Sequence, residues 1–315
     1  MADEQGFPPG AVNGPAAFED GPALRPEPVG REDGGRRRPA LSVLDARTGR
    51  STGIPPGRRM LLRACVRLAA PGGRAGPGDL RAALVGDVLQ RVAEIEGLQV
   101  LRVLVLPVPD PGRAAAFDRA AAALGIHPPV AVVAPGDPGT SADPGEALGG
   151  PPDAQLIAAG ADRSDAVGGV WLAVGPAGTG PGDTSADGLG DGNALVEGLG
   201  AGAVEPTAVR LALLSHPYRE PAGTGPRALD EAAATLRDWR RHVTDWAWAP
   251  SKPVPDDIRR QAAAAFTGDL DTPAALALLH RVRAANGLED GARFETFAAL
   301  DRVLGLELTR EVGRH

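Results

Sequence analysis

Lysine, cysteine and aromatic residues are scarce in this chain of 315 residues. Aromatic residues make up 3% of the chain, so its hydrophobic cores must be built from Ala, Leu and Val. The single cysteine, Cys65, excludes an intramolecular disulfide and fits a reducing cytosol. The single lysine, Lys252, lies in the C-terminal half. The N-terminal half therefore lacks the Gly-Lys-Ser/Thr sequence that a P-loop requires.

A basic excess and long apolar runs are also missing. The formal net charge is −7, which argues against a general binder of nucleic acid or of membrane surfaces. No run approaches the ~18 apolar residues of a membrane span, so no membrane partner is expected. Residues 1–30 are acidic and rich in Pro and Gly without an apolar core, unlike a signal peptide. Together these features predict a soluble, cytoplasmic protein.

The first half of the chain alternates between two apolar periodicities. Three short runs rich in Val and Leu predict buried strands at residues 60–66, 98–108 and 130–134. Two segments with helical spacing lie between them, one that begins at Asp79 and one over residues 113–124. Strand, helix, strand, helix, strand at this spacing predicts one βαβαβ half of a doubly wound, Rossmann-like α/β sheet.

Composition divides the chain into three predicted parts. Residues 1–40 have the composition of a disordered arm, and residues 41–204 form the predicted Rossmann-like domain. Gly/Pro-rich loops interrupt the end of this domain, where residues 153–160 are predicted as a helix and residues 170–174 as a strand. Residues 205–315 are predicted to form an all-α helical bundle, because their apolar residues fall at three-, four- and seven-residue spacings.

Two local features stand out in the helical part. Thr272 is predicted to cap a helix that begins with Pro273, and Asp269 is predicted to supply a second capping oxygen. A basic cluster on one helix is a candidate contact for nucleic acid. It consists of Arg237, Arg240 and Arg241, with the ring of Trp239 available to stack on a base. A solvated charged face beside a core tryptophan is the favoured interpretation of this cluster.

Several segments together resemble one known family. They are LSVLDARTGR (41–50), LLRACV (61–66), VRLALLSHPYRE (209–220), DLDTPAALALL (269–279) and FETFAALDRVLGLEL (294–308). Their order and spacing resemble class I cysteinyl-tRNA synthetases and the related mycothiol-pathway cysteine ligase. The resemblance covers about residues 41–130 and 151–315. It implies a reduced Rossmann-like nucleotidyl-transferase domain followed by a helical bundle.

The resemblance assigns the two phosphate-handling signatures of the family to unsuitable residues. HIGH supplies imidazoles at a helix N-terminus that stabilise charge on ATP phosphates, and it falls on Gly76, Pro77, Gly78 and Asp79. KMSKS supplies lysines that clamp the phosphates, and it falls on Thr184, Ser185, Ala186, Asp187 and Gly188. No histidine occurs before His127. Asp79 is therefore predicted to be a helix N-cap, and no convincing catalytic residue is identified.

The zinc site that the resemblance implies is also incomplete. Cys65 matches a zinc-binding cysteine of the family, but the stretch that should hold further ligands falls on PPDAQ (151–155), without Cys, His or Glu. One thiolate does not make a tetrahedral zinc site. Cys65 is therefore predicted to be a buried small apolar residue. No metal and no cofactor are expected, although the family uses ATP and zinc.

Two functions remain open at this point. The first is a catalytically degenerate homologue, a pseudoenzyme that acts by binding or interaction; the loss of both signatures favours it. The second is an active ATP-dependent cysteine ligase that forms cysteinyl-tRNA or joins cysteine to an amine. Only weak tRNA binding is expected, since residues 205–315 hold 15 Lys and Arg against 16 Asp and Glu, a net charge of −1. The sequence identifies no protein partner.

Overall fold

The structure, a computed structural model, describes residues 41–54, 60–134, 143–178 and 192–314. Strands β1 (Ser42–Asp45) and β2 (Arg50–Gly53) form an antiparallel hairpin. The next five strands are β3 (Leu61–Arg67), β4 (Gln99–Val105), β5 (Ala131–Val133), β6 (Ala154–Ala158) and β7 (Val170–Val174). These five strands form one parallel sheet in the order β5-β4-β3-β6-β7.

Four α-helices accompany this sheet within the described residues. They are α1 (Pro77–Ile95), α2 (Pro111–Ala123), α3 (Pro144–Leu148) and α4 (Gly192–Gly200). Helix α1 connects β3 to β4, and α2 connects β4 to β5, as the alternating periodicities predict. The chain then returns to the other side of β3 to form β6 and β7. The predicted α/β class with a doubly wound parallel sheet is therefore confirmed.

Strand β6 corrects one sequence prediction. Residues 153–160 were expected to be helical, but Ala154–Ala158 form a strand that is buried at every position. This strand pairs with β3 on one side and β7 on the other. A short apolar run such as AQLIA has no periodicity that separates a buried strand from a helix. Pairing with both neighbours decides the conformation, and the sequence does not reveal that pairing.

The C-terminal part is helical, as predicted. Its helices are α5 (Pro206–Leu214), α6 (Pro226–Trp246), α7 (Asp256–Thr267), α8 (Thr272–Ala284) and α9 (Asp290–Leu304). Two short strands, β8 (Ala177–Gly178) and β9 (Ala222–Gly223), pair in parallel and link the end of the sheet region to this part. Gly305 ends α9 with a φ of 62°, which is the left-handed conformation expected of a helix-terminating glycine.

The start of α8 differs from its prediction. The N-cap is Asp271, whose carboxylate accepts a hydrogen bond from the Ala274 backbone N–H at 2.9 Å. The Thr272 hydroxyl instead donates to the carbonyl of Leu214 at 2.7 Å. Asp269 caps no helix either: it accepts from the Leu44 backbone N–H at 2.8 Å and thereby ties β1 to the helical part. Pro273 was predicted as the first residue of this helix and is the second, so the N-cap and the helix start were both assigned one residue too late.

One hydrophobic core joins the sheet to the C-terminal helices. The same cluster of buried side chains includes Leu156 on β6, Leu84 on α1 and Leu279 on α8. The predicted domain boundary between residues 204 and 205 stays a prediction, and the predicted arm of residues 1–40 lies outside the described residues. Among the described residues, no helix has the length and apolar character needed to cross a membrane.

Candidate functional site

The topology of the sheet marks one position where ligands commonly bind. Strands β3 and β6 are neighbours, but the chain leaves β3 toward one edge of the sheet and reaches β6 only after β5. In open α/β sheets such a switch point forms a crevice at the carboxyl ends of the strands. A cavity of about 450 Å³, here called the switch-point cavity, lies there, and its lining includes Ala69, Arg74, Asp79, Gly160 and Ala177.

The four residues predicted to replace HIGH line this cavity at the start of α1. Gly76 is the N-cap residue, with an extended backbone at φ −118° and ψ −170°, and Pro77 follows at the first helical position. The extended conformation of Gly76 is the one that a following proline favours. Asp79 is therefore the third residue of the helix. The prediction that Asp79 is the N-cap residue is wrong by three positions.

Although Asp79 lies within the first turn of α1, its carboxylate accepts hydrogen bonds from backbone N–H groups that precede the helix. It accepts hydrogen bonds from the backbone N–H groups of Ala69 at 2.7 Å, Ala70 at 3.3 Å and Gly76 at 2.9 Å. The side chain is buried, and that burial raises the pKa of Asp79 although the three backbone donors act in the opposite direction. Two of these donors lie in the loop after β3 and the third is the N-cap residue of α1, and backbone N–H groups that converge in this way form a site for an anion. Here the carboxylate of the chain itself occupies that site.

The other predicted signature has no structural description. Thr184, Ser185, Ala186, Asp187 and Gly188 lie outside the described residues. The described chain stops at Gly178 on this side of the switch-point cavity and resumes at residue 192. The assignment of KMSKS to these five residues therefore stays a prediction.

Cys65 lies inside the sheet and does not line the switch-point cavity. Its side chain is fully buried on β3, in a cluster with Val103, Val105, Val133 and Leu148. Burial raises the pKa of its thiol to about 11. The interpretation of Cys65 as a buried small apolar residue agrees with this position. The described residues contain no group of three or more His, Cys, Asp or Glu side chains placed to hold a metal, so they do not fit zinc at Cys65.

We expect Cys65 to resist alkylation in the folded protein. The thiolate is the reactive form of cysteine, and both burial and the raised pKa suppress it. After treatment with iodoacetamide at pH 8, mass spectrometry should detect no modification of the native protein. In denaturant, the same treatment should add one carbamidomethyl group per chain. Rapid alkylation of the native protein would show that Cys65 is accessible and would reopen the question of a metal or catalytic role.

The sequence prediction overlooked a second cavity and the side chain at its base. A cavity of about 620 Å³, here called the Arg67 cavity, is lined by Arg67, Gln155 and Asp165 among other residues. Arg67 is the last residue of β3, and only 4% of its surface is exposed. Its Nε donates to Gln155 Oε1 at 3.1 Å, and its Nη1 lies 2.7 Å from Asp165 Oδ1. The signal in the sequence was a charged residue at the end of a strand that is mostly apolar.

Two of the four residues of the basic cluster on α6, counting Trp239, are buried. Trp239 is 1% exposed, and its ring contacts Phe297 edge-on with centroids 5.9 Å apart. Arg240 is 3% exposed and donates to the carbonyl of Leu306 at 2.8 Å. Only Arg237 and Arg241 are exposed, and Arg241 pairs with a neighbouring carboxylate on the same helix. Stacking of Trp239 on a nucleic-acid base, considered in the sequence analysis, is therefore excluded.

Comparison with known proteins finds similarity to cysteine ligases over part of the chain. No model of a protein family matches the chain. Over 109 residues it is 38% identical to the L-cysteine:1D-myo-inositol 2-amino-2-deoxy-alpha-D-glucopyranoside ligase of Streptomyces avermitilis, a match that covers 33% of this chain and 26% of the relative. It is 37% identical to the ligases of the same name from Acidothermus cellulolyticus, over 114 residues, and Mycobacterium tuberculosis, over 118 residues.

These similarities confirm, over about a third of the chain, the resemblance to the class I cysteinyl-tRNA synthetase-like family. The last two matches each cover 36% of this chain and 27% or 28% of the relative. The chain thus matches only about a quarter of the length of these curated relatives. The homology, the Rossmann-like sheet and the C-terminal helices agree with one another.

Proposed function

We propose that this chain is a catalytically degenerate homologue of the cysteine ligases, a pseudoenzyme that acts by binding or interaction. The observation that carries the proposal is the position of Asp79. Its buried carboxylate accepts three backbone hydrogen bonds at the start of α1, where the resemblance implies contact with ATP phosphates. A phosphate group at these N–H groups would have to displace an anion that is covalently part of the chain. The residues present therefore do not fit ATP in the way that the resemblance implies.

Two further features support the proposal. The matching Cys65 is buried among apolar side chains, so the thiolate that would bind zinc in the family is not available. Arg74 is the cationic side chain in the lining of the switch-point cavity, and it is exposed. Stabilisation of a transferring phosphate group depends on several positioned cations and N–H donors. We infer that the described part of this cavity supplies too few of them for adenylation.

The alternative is an active ATP-dependent cysteine ligase. Its support is the 35–38% identity to proteins named as cysteine ligases. In that case the ATP phosphates would be bound by residues other than those that the resemblance assigns to the HIGH and KMSKS signatures. The acceptor could then be tRNA or a small amine. We favour the degenerate homologue because the alternative requires an unidentified set of phosphate-binding residues.

We expect no cysteine-dependent exchange of pyrophosphate into ATP by the purified protein. Loss of a single charge-stabilising donor lowers enzyme rates by ~10²–10³, and the resemblance assigns several such positions to residues that cannot serve as donors of this kind. The assay should include an active cysteine ligase as a positive control and serine in place of cysteine as a negative control. Cysteine-dependent turnover on the order of 1 per second would contradict the proposal and favour the active ligase.

The proposal includes a cytoplasmic location and, at most, weak contact with tRNA. Residues 205–315 carry a net charge of −1, and the arginine and tryptophan at the centre of the candidate contact on α6 are buried. Affinity for nucleic acid comes largely from Lys and Arg that neutralise phosphates. Interaction with a protein or a small ligand is therefore the mode of action that we favour.

A further inference from the structure

The Arg67 cavity contains a buried cation that the proposed function does not use. Arg67 ends β3 at the cavity, and its side chain is almost fully buried. A guanidinium group has five N–H donors. Two contacts of this group involve Nε and Nη1, and the structure gives Nη2 no partner among the described residues. A buried cation thus retains free donors in a cavity of about 620 Å³.

The guanidinium group is held in a fixed orientation. Gln155 is fully buried on β6, and its Oε1 accepts from Arg67 Nε. The amide of Gln155 is itself fixed, because its Nε2 donates to the carbonyl of Val167 at 2.8 Å. A rigid guanidinium with free N–H groups is suited to a planar carboxylate, which it binds through two parallel hydrogen bonds.

Within the described residues one carboxylate contacts Arg67, and a ligand can replace it. Asp165 lies 2.7 Å from Arg67 Nη1, but its side chain is 60% exposed, on the segment between β6 and β7. An exposed partner returns to water at little cost, whereas the buried guanidinium cannot. A ligand carboxylate can therefore take the Nη1 and Nη2 edge while Gln155 keeps Nε.

The surroundings limit the charge and size of the ligand. Asp143 and Glu146 also line the cavity, and because their repulsion grows with the charge of the ligand, they favour one negative charge over two or more. The rest of the lining is small and largely apolar, and includes Gly149, Pro152 and Val167. We propose that the Arg67 cavity binds a small monocarboxylate, with its carboxylate on Arg67 and a short apolar tail against these residues. This site does not depend on whether the chain adenylates cysteine.

Ligand-observed NMR with the full chain tests the proposal. Saturation transfer should reach propionate and alanine, which share a carboxylate, and should not reach propylamine. Inorganic phosphate should not displace propionate. Transfer to propionate and not to alanine would identify carboxylates without an ammonium group as the ligands. Transfer to both compounds would show that zwitterionic amino acids also bind. Transfer to propylamine without propionate, or displacement by phosphate, would overturn the proposal.

Three variants assign the binding to Arg67. Arg67→Gln should weaken propionate binding at least about tenfold, because the charge-assisted hydrogen bonds are lost. Arg74→Gln removes the same charge from the switch-point cavity and should leave binding unchanged. Asp165→Asn removes the competing carboxylate from an exposed position and should strengthen binding. If Arg67→Gln does not fold, Asp165→Asn alone tests whether Arg67 binds the carboxylate. Unchanged or weaker propionate binding by Asp165→Asn would contradict the proposal.

Discussion

Replacement of Asp87 by alanine is expected to lower the free energy of unfolding by about 3–5 kcal/mol, because it leaves a buried arginine without its partner. Asp87 on α1 and Arg210 on α5 have fully buried side chains, and Arg210 Nη2 lies 2.8 Å from Asp87 Oδ2. Asp87 also accepts from Arg91 Nε at 2.8 Å and from the backbone N–H of His127 at 3.0 Å. Urea unfolding followed by circular dichroism measures the loss.

An exposed ion pair provides the matched control for Asp87. Arg227 and Glu231 pair at 2.9 Å across one turn of α6, but both side chains are largely exposed. Glu231→Ala should change the free energy of unfolding by less than about 1 kcal/mol. A loss of similar size in both variants, or a loss below about 1 kcal/mol for Asp87→Ala, would show that the buried pair does not hold α1 to α5.

The same aspartate predicts a dependence of stability on pH. Burial opposes ionisation of Asp87, but Arg210 and Arg91 outweigh it and lower its pKa from 3.8 to about 2. A carboxyl group with a lowered pKa in the folded state stabilises the fold fully above its unfolded pKa. This contribution is lost as the pH falls from about 4 through about 2. Asp87→Asn should lack this component of acid destabilisation, and an unchanged acid profile would contradict the assignment.

Replacement of Trp239 by alanine is expected to lower the free energy of unfolding by about 3–5 kcal/mol. Trp239 is the largest of the fully buried side chains in the described residues, and its ring packs against Phe297 and His280, with the His280 centroid 4.8 Å away. Removal of the ring leaves a cavity between α6, α8 and α9. Chemical denaturation of the variant and the parent measures the difference.

Trp248 is the control for this substitution. It is 75% exposed, so Trp248→Ala removes a ring of the same size with much less loss of buried surface. We expect its effect to stay below about 1 kcal/mol. If Trp248→Ala were as destabilising as Trp239→Ala, the assignment of Trp239 to the core of the helical part would be wrong.

The secondary structure could be predicted where the local sequence pattern favours the same conformation as the position of the segment in the fold. The run LQVLRVLVLPV is long and rich in Val and Leu, and it contains β4. The five residues of β6 are all buried, but their sequence, AQLIA, favours no conformation by itself. Their position between β3 and β7 is a long-range property of the sheet, and no local pattern encodes it.

The candidate site was predictable in position but not in chemistry. The resemblance placed Gly76 and Asp79 at a strand-to-helix turn, and the structure has them there. It did not indicate that the Asp79 carboxylate folds back onto Ala69 and Ala70, because those contacts depend on the path of the preceding loop. Arg67 was overlooked for a similar reason: an arginine at a strand end reveals neither its burial nor its cavity.

Titration of the purified protein with Mg-ATP tests most directly whether Asp79 keeps phosphate groups away from the start of α1. We predict no saturable binding by the parent protein up to about 1 mM. Asp79→Ser, which frees backbone N–H groups and removes a negative charge, should bind Mg-ATP more tightly than the parent. Micromolar binding by the parent protein, with no gain in Asp79→Ser, would contradict the degenerate-homologue proposal.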